Sequence, residues 1–178
     1  MLPFASRLCA NLTLDQPTRN FLRWAMGVHY NRHIETWGFM MIDNMVMQDA
    51  LVSLMVMVSA ADGDMTDREL GVMSQLVSSL PIFAEYEAED MLQATQSCAD
   101  YLAREDGLDL LLSRCKELLG AKLCLTGYAL ACDVAAADGD LHEEELEILQ
   151  MIRQELNVER LHAAAIEKAT AARYIRPQ

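Results

Sequence analysis

A run of seventeen residues occurs twice in this chain, and that recurrence constrains the fold more than any other feature. Residues 54–70 overlay residues 130–146 at an offset of 76 with no gap, and nine of the seventeen positions are identical: Leu54, Val58, Ala60, Ala61, Asp62, Gly63, Asp64, Glu69 and Leu70. An Asp-Gly-Asp followed five residues later by Glu, kept twice within otherwise apolar text, is hard to obtain by chance. The chain is therefore read as a duplication. A solenoid would need more and shorter repeats, so two long copies point to a pair of halves rather than an array.

The spacing of apolar residues around each copy predicts helices. Met45, Met47, Leu51, Leu54, Met55, Val58 and Ala61 make a segment that is apolar on most sides, as a central helix must be. The turn Asp62-Gly63-Asp64 stops it, and a second helix runs from Thr66 with Leu70, Met73, Leu76, Val77 and Leu80 on one face until Pro81. A third, over 84–104, opens with Glu85, Glu87, Glu89 and Asp90, acids that suit a helix N-terminus. Gly107 breaks the chain, a connecting helix covers 107–119, and the pattern returns as helices over 121–137, 142–156 and 158–173, with Asn157 as a break. The expected fold is all-α: a pseudo-twofold bundle of about seven to eight helices built from two helix–acidic turn–helix repeats, with the helices over 45–61 and 121–137 packed centrally. The expected division is an N-terminal extension (1–44) with one amphipathic helix over 17–35, then a helical domain over 45–175. In that domain the first repeat covers 45–104 and the second 121–173.

Each turn reads D-G-D-φ-x-x-x-E, where φ is Met65 or Leu141. The spacing matches the second half of an EF-hand loop, in which an Asp ligates, Gly permits a sharp bend and a Glu seven residues after the Asp closes a calcium site. The candidate ligands are Asp62, Asp64 and Glu69 in the first turn and Asp138, Asp140 and Glu145 in the second. The match is half of a site. The positions two and four before the first Asp, where an EF-hand carries oxygen ligands, are Ala60 and Val58, and Ala136 and Val134. Further ligands must come from the twin turn, from a nearby acid such as Asp133, or from water. A dissociation constant of ~10⁻⁵ to 10⁻³ M, roughly 4–7 kcal/mol, is the corresponding expectation.

Two plainer readings stand beside it. Asp-Gly is a tight-turn dipeptide, and Thr66-Asp67-Arg68-Glu69 is a capping box for the helix that follows. Caps account for the first turn without any metal. They account less well for the second, where His142 is a poor cap and Glu143, Glu144, Glu145 and Glu147 crowd like charges for a dipole gain of only ~0.3–1 kcal/mol each. A charged docking surface is the third reading.

The phrase A-A-D-G-D-φ-x-x-x-E-L, present twice over residues 45–175, resembles the TerB-like family associated with tellurite resistance. The resemblance implies an all-α, pseudo-twofold bundle with an acidic patch for a divalent metal, calcium in particular. It implies Asp62 and Glu69, and Asp138 and Glu145, as the acids involved. It also implies a stress-response role with protein partners that are often membrane-associated. Arg68 stands where the second copy has Glu144, and Thr66 where it has His142, so the two sites are not expected to bind equally.

Charge narrows the partners. The formal net charge is −13, and the excess acid lies beyond residue 38, because residues 1–38 carry Arg7, Arg19, Arg23 and Arg32 against Asp15 and Glu35. Such a body repels phosphates and anionic headgroups, so no nucleic-acid partner and no direct membrane insertion are expected. Cations and basic protein surfaces are favoured, and a homo-oligomer is admissible. Five cysteines without a C-x-x-C pair, in apolar helical surroundings, read as small core hydrophobes in a reducing cytoplasm. Residues 1–10 have no secretory-signal pattern. His29 and His33 are spaced as metal ligands but have no evident third partner, and the twelve methionines fall at core spacings. The amphipathic Phe21, Trp24, Tyr30 and Trp37 with Arg19, Arg23 and Arg32 suit packing on the bundle, or docking to a partner or second subunit. No phosphate loop, nucleophile elbow or Ser/His/Asp arrangement occurs, so the chain is not expected to be an enzyme. The functional expectation is a cation-binding interaction domain of the tellurite-resistance, stress-response type. The alternative is a metal-independent protein-interaction or structural module whose acidic turns are helix caps.

Overall fold

A computed structural model describes residues 45–61, 63, 65–139 and 141–175. The expected helix over 17–35, together with His29, His33 and Cys9, lies outside the described residues. All regular structure among the described residues is helical. Six α-helices follow in order: α1 Met47–Ser59, α2 Asp67–Ser79, α3 Ala88–Leu102, α4 Gly107–Ala135, α5 Glu143–Glu155 and α6 Arg160–Arg173, with one 3₁₀ turn at Pro81–Phe83.

α1 is the central rod that its composition demands. Every residue from 50 to 59 is buried, and the helix packs most extensively on α4, then on α3, and also on α5 and α2. Leu51, Leu54, Met55 and Val58 of α1 share one core with Leu130 and Val134 of α4 and Ile148 and Ile152 of α5. Each fully buried aliphatic side chain of this kind contributes roughly 1.5–3 kcal/mol. Met55, Met57 and Met73 lie in that core, so these methionines fill space rather than bind a soft metal. Gly127 lies at the α1–α4 contact: a Cβ placed on it would sit 2.7 Å from Leu54 Cδ1, so that leucine side chain would have to shift.

One helix boundary differs from the sequence expectation in an instructive way. α3 starts at Ala88 rather than 84. Glu85 adopts φ 69° and the Tyr86 hydroxyl donates to Asp49 Oδ1 at 2.7 Å, so this stretch is a loop tied to α1. The helix begins only where Asp90 Oδ2 accepts the Glu87 N–H at 2.9 Å. The expected helices over 107–119 and 121–137 are the two segments of α4, and the non-helical Gly120 at φ 55° and ψ 178° breaks the backbone between them where the sequence places the boundary. Six helices result where seven to eight were expected, one of the expected helices lying outside the described residues. α4 is long and apolar enough to cross a membrane by length and composition, but half of its apolar window is buried in the fold. Asn157, at φ 54°, separates α5 from α6 as the sequence suggests.

Candidate functional site

The described residues of the two acidic turns have matching backbone conformations. α1 ends at Ala60 with φ −89° and ψ 0°. α4 ends at Ala136 with φ −87° and ψ −3°. Gly63 and Gly139 both take φ 84°, a left-handed conformation that a side chain would strain. The following helices begin from Thr66 at φ −81°, ψ 156° and from His142 at φ −84°, ψ 157°. Local sequence causes this likeness: an apolar helix meets an Asp-Gly bend, and a Glu three residues after the cap closes the next helix.

Both glutamates do that closing from inside the fold, each only 5% exposed. Glu69 Oε2 accepts the Thr66 N–H at 2.6 Å, while the Glu69 N–H donates to Thr66 Oγ1 at 3.2 Å, a complete capping box. Glu145 Oε2 accepts the His142 N–H at 2.8 Å. Asp138 is partly buried, whereas Glu143 and Glu144 face solvent. Asp62, Asp64 and Asp140 lie outside the described residues. Among the described residues no three His, Cys, Asp or Glu side chains gather as a metal site.

Asp133, one of the acids considered as an extra ligand, is committed elsewhere. Its Oδ1 accepts from Thr170 Oγ1 at 2.9 Å and meets the Arg173 guanidinium, so it fastens α4 to α6. The thiols are equally remote from ligation. Cys98, Cys115, Cys124 and Cys132 are free and buried. Burial pushes Cys98 and Cys132 up to about 12 and raises Cys115 and Cys124 as well. At Cys132, desolvation is the largest cause, and the neighbouring Asp133 adds to it. Thiolate chemistry needs the opposite environment.

Sequence reasoning missed the long-range polar contacts, two of which are made by tyrosines. One is the bond between Tyr86 and Asp49, which with burial raises the phenol well above its ordinary range. The other is the Tyr128 hydroxyl donating to Glu167 Oε1 at 2.7 Å. No local pattern signals either, because the partners are 37 and 39 residues apart.

Residues 48–168 match the family model described as "Tellurite resistance protein TerB", which spans more than half of the 178 residues. No curated protein and no solved structure matches the chain.

Proposed function

The chain belongs to the TerB family of tellurite-resistance proteins, and from that premise we propose that its acidic turns hold a divalent cation, calcium by the chemistry of the donors, in a non-enzymatic interaction domain. The observation that carries this reading is the duplicated turn: the same glycine φ of 84° twice, each followed by a carboxylate buried to 5% exposure and fixed by a backbone N–H. A buried carboxylate held by its own helix start is preorganised, and an ionised carboxylate offers roughly four acceptor positions, so one amide bond is compatible with ligation.

The donor set, Asp62, Asp64 and Glu69 with Asp138, Asp140 and Glu145, is all oxygen, as hard cations require. The apolar residues ahead of each turn, Val58 and Val134, are fully buried, so remaining coordination falls to water or to a partner. That deficit suits weak, exchangeable binding. A bound cation would neutralise charge on a body of net −13 and present a surface whose charge depends on the ion.

The same reading treats residues 45–175 as the domain, residues 1–44 as an extension, and the repeats over 45–104 and 121–173 as halves related by a pseudo-twofold axis. Reciprocal packing supports the axis, since α2 touches α4 while α5 touches α1. The net charge favours a cytoplasmic protein partner, including one at a membrane, over nucleic acid. The cellular role is a stress response of the tellurite-resistance type.

Calorimetric titration with calcium tests the proposal. Heat and thermal stabilisation at millimolar calcium, abolished in Asp62→Asn/Asp138→Asn, are expected. An unresponsive wild-type chain would remove the reading. One observation favours a second function, a metal-independent module: the reciprocal bonds between Thr66 and Glu69 give these residues a capping role that needs no ion.

A further inference from the structure

The two helix starts that follow the acidic turns share a local pattern but present different surfaces. Each has one apolar residue just before its cap and another at the fourth helical position: Met65 and Leu70 for α2, Leu141 and Leu146 for α5. Side chains at those two positions pair across a helix start. Met65 and Leu70 are both partly buried, whereas Leu141 and Leu146 are left 49% and 48% exposed. The neighbouring charges differ too. Asp67, Arg68 and Gly71 in the first copy correspond to Glu143, Glu144 and Glu147 in the second. All three glutamates face solvent, and none of them forms an ion pair among the described residues. Between Lys122 and Arg153 the sequence holds no lysine or arginine that could neutralise them. Helical spacing sets Glu143, Leu146, Glu147 and Gln150 along one outward stripe of α5, and all four are exposed. A lone exposed leucine is ordinary, but an apolar pair rimmed by charge of one sign has the make-up of a contact surface.

Charge selects the occupant. A second copy docked through the same face by a twofold axis would set these glutamates against their own equivalents, and an anionic membrane surface or a nucleic acid is repelled by them. We propose that the start of α5 docks a basic amphipathic helix of a partner protein, with Leu141 and Leu146 as its apolar contacts and Glu143, Glu144 and Glu147 as its charge contacts. Apolar side chains one turn apart on such a helix reach both leucines, and the lysines or arginines flanking them meet the glutamates. The first copy, with its staple pair covered and Arg68 beside it, lacks both halves of this surface, so one helix binds per chain. The inference rests on the interaction-domain reading above, names the partner that domain takes, and is independent of the bound cation.

The probe is a fluorophore-labelled peptide of about 18 residues, long enough to become helical, with leucines at helical spacing and lysines elsewhere. A permuted peptide of the same composition is its control. Anisotropy titration of the full chain in chelator should show one amphipathic peptide per chain, with binding that weakens as salt is added, and several-fold weaker binding of the permuted peptide. Leu141→Ser/Leu146→Ser should weaken it roughly tenfold. Glu143→Gln/Glu144→Gln/Glu147→Gln should weaken it several-fold and flatten its salt dependence. Glu89→Gln/Glu105→Gln/Asp109→Asn, which removes the same charge from exposed positions elsewhere, should leave the affinity near wild type. A measurement on the unmutated chain does not depend on how the variants fold: methyl resonances of Leu141 and Leu146 should shift with added peptide while those of Leu70 stay. No binding, equal binding of the permuted peptide, equal losses in the two charge variants, or shifts centred on α2 would each overturn the proposal. So would leucine shifts that appear on concentrating the chain without peptide, which would make a second copy the occupant. Repeating the titration at millimolar calcium keeps the two readings apart. Peptide binding in a chain with no calcium response removes only the cation, and a calcium response without peptide binding removes only the docked helix.

Discussion

Replacing Glu145 by Gln separates ligation from capping, because the two roles ask different things of one side chain. The Gln carbonyl can still accept the N–H of His142, which Glu145 Oε2 now accepts at 2.8 Å, and Gln is a normal partner in a capping box. What is lost is the charge. A hydrogen bond to a charged group contributes about 1.5–3 kcal/mol and a neutral one about 0.5–1.5, so Glu145→Gln should cost about 1 kcal/mol in the presence of chelator. For a domain of this length that corresponds to a fall in Tm of roughly 2–4 °C. Burial of the side chain to 5% exposure justifies using the unscreened figures. The cation response should change much more. With a Kd of ~10⁻⁴ M, calcium near 10 mM stabilises the wild-type chain by about 2.7 kcal/mol, or roughly 5–10 °C in Tm. A neutral amide is a poor replacement for a calcium-binding carboxylate, so most of that shift should vanish in the variant. Paired thermal melts of both proteins, with chelator and with calcium, provide the four numbers needed. If the wild-type melt is the same in calcium as in chelator, and the variant loses only the same roughly 2–4 °C of Tm in both, Glu145 is a helix cap and the ligation argument fails.

Other expected outcomes follow from single features. Gly63→Ala and Gly139→Ala should each cost about 1–2 kcal/mol in urea denaturation, and by similar amounts, since both glycines sit at φ 84°; clearly unequal losses would mean that the turns are not equivalent. Tyr86→Phe should cost about 1–2 kcal/mol, the value of a partly buried bond to the Asp49 carboxylate, and a neutral result would show that the loop before α3 is held by packing alone. The buried thiols predict alkaline sensitivity. Cys98 and Cys132 go from 9.0 to about 12 on folding, so between those values the unfolded chain binds fewer protons than the folded one. Stability should be fully present below about pH 9 and decline as pH rises toward 12. Urea midpoints across that range in reductant should fall for the wild-type chain and fall less steeply for Cys98→Ala.

The legible part of this protein was the part encoded within a few neighbouring residues. Asp-Gly demands a left-handed bend, a Glu three residues after Thr66 closes a helix start, and a segment apolar on all sides has nowhere stable except the centre. Each feature was therefore visible before any coordinates, as was the duplication that repeats it 76 residues later. Asn157 ending α5 belongs to the same class, because its φ of 54° is a local preference of Asn.

What tertiary structure alone decided involves partners far apart along the chain. Asp133 looked like a spare ligand until Thr170, 37 residues away, and Arg173 on the next turn of α6 took its carboxylate. The start of α3 moved because Tyr86 reaches back to Asp49. Gly120 does separate two helical segments, at φ 55° and ψ 178°, but that both segments bury residues in one core with α1 is decided by packing. Propensity acts over one turn of backbone, whereas a packed core sums contacts from every element it touches. Where the two disagreed in this chain, the larger sum prevailed.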